Sequence, residues 1–472
     1  MHSGAPEGHS GAPGTHSGAP KGHSGAPEGH SGAPDEDSAV LTFALDRWVD
    51  PADAFATLFA ARDAFWLDSG IEAVAGRSFM GTGSALVGSA DALAAVRANL
   101  ADHSLSDIGG LPLGWVGWLG YELRESTMDV APVPISRYPH AAFLHVDRAL
   151  VFDHSVHTVA LVALGEEWTP ELAEWRDAVV ARLAGATSMP PSFPVDAAVA
   201  WRYTDDEYLA MIDSCRDSIV AGDAYQLCLT TEASLDVHPD PVATYLAVRA
   251  SSPSHHGGFL RVGDVSLLSA SPETFLTVSP AGVIESRPIK GTRPRGATPL
   301  EDAALAAELL ASDKERAENL MIVDLMRNDI SRVAQLGSVT VPSLLAVESY
   351  AHVHQLVSTV RGQLADGVSG MDAVAACFPA GSMTGAPKLS ATLLLDALEQ
   401  RPRGLYAGAF GLFSLDGTID LAMVIRSIVM DGAGATIGTG GGITALSIPV
   451  EELAEAKLKA AALLAVLTTR VS

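Results

Sequence analysis

The sequence predicts an α+β fold, antiparallel sheets flanked by helices. Strand-like and helix-like pieces alternate along the chain, and the strands are joined by short turns rich in Asp-Gly. No GxGxxG or GxxxxGK[ST] loop opens a strand-to-helix unit, as a doubly wound parallel sheet would require. The 472 residues are 48% apolar, enough to build a sizeable core.

The elements follow in order. Five seven-residue repeats of the type HSGAPEG begin at residues 2, 9, 16, 23 and 30. They offer nothing larger than Ala or Pro to bury, so residues 1–37 are expected to be a disordered tail. Its regular histidines invite loose metal binding, and an inert extension is the simpler reading. An N-terminal region, 38–190, begins near SAVLTFALDRWVDP. There DPADAFATLFAARDAFWLDSG reads as helix then strand, and PLGWVGWLGYELR as a close-packed strand. AAFLHVDRALVFDHSVHTVALVAL reads as two long strands around a turn at Asp153–His154, followed by the acidic helix TPELAEWRDAVVARLAGA. The proline-rich TSMPPSFPVDA is the best linker in the chain. A second region, 200–470, opens with a helix capped by Thr204 and stopped by Gly222. It continues through strands, a helical block from about Leu300 to Ala334, further strands with Asp-Gly turns, and a final helix from about Val450.

Charge narrows the function. The net charge of -26 argues against nucleic acid or an anionic membrane as partner. An anionic small substrate would need a locally basic site or a metal. Three cysteines with no paired spacing point to a reducing cytoplasm, and no run of about eighteen apolar residues predicts a membrane span. Lysines are scarce, which makes each one informative. One of them, Lys290, sits in the basic stretch ESRPIKGTRPRG. Glu315 and Glu318 are three apart on a predicted helix, and Glu452 and Glu455 repeat that spacing at the other end of the chain. Either pair alone reads as a solvated helix face. Brought together they would form an all-oxygen site suited to Mg²⁺. Glu273 follows a strand and a Ser-Pro turn. A hairpin would bring it within reach of Lys290, a pairing usable for acid and nucleophile roles or simply an ion pair. The glycines of GTGGGIT can let backbone N–H groups approach a carboxylate, or merely form a tight turn.

SPETF, RPIKGTRPRG, ENLMIVDLMRND, FPAGSMTGAPK, LYAGAFG, IRSIV, GTGGGIT and EELAEAKLK occur in this order between about Gln226 and Lys459. Together they resemble the chorismate-utilising enzymes, whose branches make anthranilate, aminodeoxychorismate, isochorismate and salicylate. WLDSG, GWVGWLGYEL and RYPHAAFLHVDRALVFDH extend the likeness to the N-terminal part of the amino-transferring branches. The resemblance implies one compact α+β body with two large packed, mainly antiparallel sheets and helices outside. Position by position, it implies that Glu318 and Glu455 ligate Mg²⁺ with Glu315 and Glu452 in support. Tyr406, Arg426 and the amides near Gly440 and Gly442 would hold the carboxylates of chorismate, with Ser382, Lys459 and Gln226 as further substrate-binding positions. Glu273 would be the general acid that helps the 4-hydroxyl leave.

Two positions discriminate among the branches. Gln226 stands where the isochorismate and salicylate branch carries a water-activating lysine, and glutamine cannot act as that base. Lys290 stands in a PIKGT segment, as in the aminodeoxychorismate branch, where anthranilate synthases resemble PIAGT. The implied reaction is attack by Lys290 at C2 with loss of the 4-hydroxyl, then entry of ammonia at C4 and release of the lysine. No cysteine sits in a glutaminase-type nucleophile setting, so a separate glutamine amidotransferase subunit is the expected ammonia source. Anthranilate formation is the alternative within the same fold, and a non-catalytic scaffold subunit is the alternative from another class. SSPSHH (251–256) and Gln355 depart from the family's pattern, the former at a segment that lines a tryptophan pocket together with WLDS in relatives.

Overall fold

The computed structural model describes residues 39–470, apart from 107, 133–134 and 351; the repeat tail lies outside the described residues. Two antiparallel sheets, of twelve and ten strands, dominate it. Their facing sides meet in an apolar layer that includes Phe65, Leu260 and Leu267 from the larger sheet and Trp118, Phe410 and Leu412 from the smaller. Helices cover the outer faces. Pro51–Phe59, Pro241–Ser251 and Pro449–Leu467 pack on the larger sheet, and Asp313–Ser331 and Gly370–Cys377 on the smaller. The predicted α+β class with two large packed sheets is the observed architecture. Strands from both sides of the proline-rich segment share each sheet.

Local signals explain several elements. Thr204 and Glu207 form a reciprocal capping box at the start of Asp205–Ala221, and Gly222 closes that helix at φ 90°. Asp416-Gly417 and Asp431-Gly432 turn the hairpins of the C-terminal strands.

Three expectations need correction. AAFLHVDRALVFD is not one strand. It breaks at Asp147 into Ala141–Val146 of the smaller sheet and Arg148–Asp153 of the larger, because the chain crosses between sheets there. The block from Leu300 to Ala334 is likewise two helices, Pro299–Ala311 and Asp313–Ser331. Ser312 adopts an extended conformation between them, and its hydroxyl accepts from the Glu315 N–H to cap the second. Glu273 and Lys290 do not face each other on a hairpin. Thr274–Val278, which follows Glu273, pairs with Val283–Ser286, whereas the Lys290 strand Ile289–Pro294 pairs with Val353–Gln363.

The sheet crossings prepare the site. Pro272 and Glu273 lie where the chain leaves Val265–Ser271 of the larger sheet for Thr274–Val278 of the smaller. Ile425 and Arg426 lie where it returns, between Ile419–Met423 and Ser427–Asp431.

Candidate active site

A cavity of about 420 Å³ opens where these crossings meet the ends of two helices. Its walls carry Glu273, Lys290, Glu315, Glu318, Ser382, Tyr406, Arg426, Gly440, Gly442, Glu452, Glu455 and Lys459. Residues up to 186 apart in the chain, from 273 to 459, therefore share one space. Gln226 is the exception: it does not line the cavity. It is buried behind Gly442, with its amide nitrogen 2.2 Å from where a Cβ on Gly442 would stand.

Each functional side chain is aimed by its backbone. Lys290 sits on a bulge, since three steps from Ile289 to Thr292 oppose two from Val357 to Gln355. Gly291 makes that bulge possible at φ 88°, which a side chain would resist, and turns Lys290 into the cavity. Arg426 takes φ 51°, a costly conformation for a non-glycine residue, at the very point of the sheet crossing. Gly438 lies against the Tyr406 ring; a Cβ there would fall 2.1 Å from Cγ, so only glycine admits the tyrosine.

At one end of the cavity, Glu273 is only 8% exposed. Burial pushes its carboxyl above the ordinary range, against the pull of Lys290 and of hydrogen bonds from the Ser382 hydroxyl and the Ile289 N–H. A buried carboxyl whose protonated form is favoured by its surroundings suits proton donation to a leaving oxygen. Deeper in, burial pulls the Arg426 guanidinium below its usual range, with Tyr406 and Glu455 opposing. It remains a cation fit to fork onto a carboxylate.

At the other end, Glu315 and Glu318 project from Asp313–Ser331, and Glu452 and Glu455 from Pro449–Leu467. Burial raises the Glu318 carboxyl, with Lys290 and Lys314 opposing. Burial also acts on Glu455, but Lys459 and Lys314 outweigh it and hold the carboxyl low. Internal cations sit against three of the four. Arg293 is 3.5 Å from Glu315, Lys314 is 3.6 Å from Glu452 and Lys459 is 2.7 Å from Glu455. Among the described residues, no three carboxylate, imidazole or thiol groups already enclose a cation position. The donor set nevertheless fits a hard divalent ion, being all oxygen, anionic and supplied by two facing helices.

Sequence reasoning assigned no individual role to Arg293 or Lys314. Both line the cavity, as do Cys228 and Gln355. The scarcity of lysine was the one signal that pointed toward Lys314. The WLDS segment lies elsewhere. Its Asp68 carboxylate is buried and already accepts from the Arg249 guanidinium at 2.6 Å and the Tyr245 hydroxyl at 3.1 Å.

The profile of the chorismate binding enzymes matches residues 57–465. An aminodeoxychorismate synthase of Streptomyces griseus is 44% identical over 459 residues, 90% of this chain and 63% of that protein. One of Streptomyces pristinaespiralis is 41% identical over 458 residues, 89% of this chain and 64% of that protein. The chain thus spans less than two thirds of the length of both. Anthranilate synthase component 1 of Streptomyces coelicolor is 36% identical over 454 residues, covering 89% of this chain and 87% of its own length. The crystal structure of anthranilate synthase component I from Streptococcus pneumoniae superposes with a TM-score of 0.72 at 27% identity, over 86% of this chain and 92% of that one. With the profile spanning nearly the whole described body, and a near full-length relative and a solved structure agreeing with it, the chain belongs to the chorismate binding enzyme family.

Proposed function

We propose that this chain is the chorismate-aminating component of an aminodeoxychorismate synthase, transferring an amino group to C4 of chorismate in the cytoplasm. The observation that carries this reading is Lys290, turned by its bulge into the cavity that also holds Glu273. The 41% and 44% identities to aminodeoxychorismate synthases support it.

In this reading Arg426, Tyr406 and the amides near Gly440 and Gly442 bind the carboxylates of the substrate. Ser382 holds Glu273, and Lys459 ties the glycine strand to the final helix through the Gly440 carbonyl at 3.0 Å. The Lys290 nitrogen attacks C2 while the C4–O bond breaks and Glu273 delivers its proton to the departing hydroxyl. Ammonia then bonds to C4, the bond from C2 to the lysine nitrogen breaks, and the enolpyruvyl group stays on the product. Mg²⁺ would be held by Glu318 and Glu455, with Glu315 and Glu452 beside them. When bound it supplies positive charge against a substrate carboxylate in an otherwise acidic protein. A glutamine amidotransferase subunit supplies the ammonia.

The test is product identification by mass spectrometry with chorismate, Mg²⁺ and ammonium. Aminodeoxychorismate is expected, and glutamine should replace ammonium only when the amidotransferase is added. Anthranilate formation is the second reading, favoured by the 87% coverage of an anthranilate synthase component. It would show as anthranilate fluorescence in the same assay and would overturn the first.

A further inference from the structure

Among the described residues, three cations form ion pairs with the four-glutamate wall, and they are not equivalent. Arg293 is anchored outside the cluster, its Nε and Nη2 donating to Glu308 at 2.6 and 3.0 Å. Lys459 is held on two sides, by Glu455 one helical turn away and by the Gly440 carbonyl. Lys314 has neither kind of anchor. Its Nζ reaches across from one helix to Glu452 on the other at 3.6 Å, its single ion pair among the described residues, and its side chain is 50% exposed. All four glutamates act on its charge, Glu452 most strongly after the effect of burial. The Glu452 carboxylate that it faces is itself buried and fixed by the Ser447 hydroxyl at 2.7 Å. The lysine is thus the movable half of a pair whose carboxylate is fixed.

We propose that Lys314 is a built-in counter-cation of the glutamate wall, occupying it when no divalent ion is bound and swinging out to solvent when one enters. This rests on the reading of that wall as a Mg²⁺ site. It makes Lys314 a positioning residue that sets metal affinity, not a ligand and not a group that touches the substrate. The wall avoids four mutually repelling carboxylates in the metal-free protein, and metal binding must work against the ammonium it displaces.

Calorimetric titration of the full chain with Mg²⁺, and electron paramagnetic resonance titration with Mn²⁺, both without chorismate, test this. Lys314→Met keeps the apolar stem and removes the charge. It is expected to bind either ion roughly fivefold or more tightly than the natural chain, with the gain shrinking at high salt. Lys314→Arg should stay near the natural affinity. The metal-free Lys314→Met protein should melt lower and gain more from added Mg²⁺. Unchanged or weaker metal binding by a folded Lys314→Met protein overturns the proposal. Binding of neither ion by the natural chain or the variant overturns the magnesium reading on which it stands.

Discussion

Two charged clusters lie back to back in this protein, and they are built on opposite principles. Behind the cavity floor, Arg403 and Glu399 are 1% and 4% exposed and fully engaged. Arg403 forks onto Glu399 with two bonds of 2.8 Å, donates to the carbonyls of Met383 and Cys228, and lies 4.3 Å from the centre of the Tyr121 ring. Glu399 also accepts from the Thr230 N–H and hydroxyl, and Glu122 accepts from the N–H groups of Arg403 and Gly404. In the cavity, by contrast, Glu318 closes no ion pair among the described residues and Lys314 holds a single long one. A sealed network spends its hydrogen-bonding capacity on itself and fixes shape. An open one keeps charge available for a ligand. The two are joined, because Met383 and Cys228, braced by Arg403, line the cavity. The comparison predicts that damage to the open cluster appears in turnover and damage to the sealed one in stability.

The strongest way to break that division is at Lys290 and Glu273. Glu273→Gln should lower the proposed amination by about 10²–10⁴-fold and Lys290→Ala at least as far, with urea unfolding of Lys290→Ala within about 0.5 kcal/mol of the natural chain. Because burial raises the Glu273 carboxyl, its protonated form persists to higher pH than an ordinary glutamate's. The rate should therefore fall as pH rises through that titration, and Glu273→Gln should lose this alkaline fall. A Lys290→Ala protein with full activity would reduce the lysine to an electrostatic contact. On the sealed side, Arg403→Met leaves Glu399 buried without a counter-charge and should cost about 3–5 kcal/mol in urea unfolding. A smaller loss would mean that the network is not sealed.

Gly438→Ala probes the boundary. Its Cβ would collide with the Tyr406 ring, so about 1–3 kcal/mol of stability and a raised KM in the proposed reaction are expected together. A change in only one of them would separate the two clusters. The last test is a pH dependence rather than a loss, at Glu122, whose carboxyl burial pushes up to about 7. Its folded-state value lies above the unfolded one, so its contribution to stability is full below about pH 4.5 and lost as pH rises through 7. The stability of Glu122→Gln relative to the natural chain should thus improve between pH 5 and 8, by up to about 3 kcal/mol, in urea unfolding at the two pH values. No improvement would leave Glu122 outside the pH-dependent part of the network.

Much of the site was legible because its chemistry sits in short motifs. Lys290 beside Gly291, the pairs Glu315/Glu318 and Glu452/Glu455, and the glycine run 438–442 each have a local reason for their spacing. The Arg403–Glu399–Glu122 network was not legible. Arg403 and Glu399 are only four residues apart, but nothing in their neighbourhood says that both are buried or that Glu122 closes the cluster from far up the chain. Lys314 was visible only as a rare lysine, and its pairing with Glu452 depends on how two distant helices face each other.

Short-range patterns along the chain were enough for the class of fold, the helix caps, the hairpin turns and the paired-glutamate and glycine-rich motifs of the site. These follow from periods and contacts within a few residues. Long-range packing settled which strand runs split between sheets, as at Asp147, that Glu273 and Lys290 line one cavity without sharing a hairpin, and that Gln226 stands behind the cavity wall. Those outcomes depend on contacts between residues tens to hundreds of positions apart, whose register is set by packing two whole sheets and leaves no mark in any short stretch of the chain.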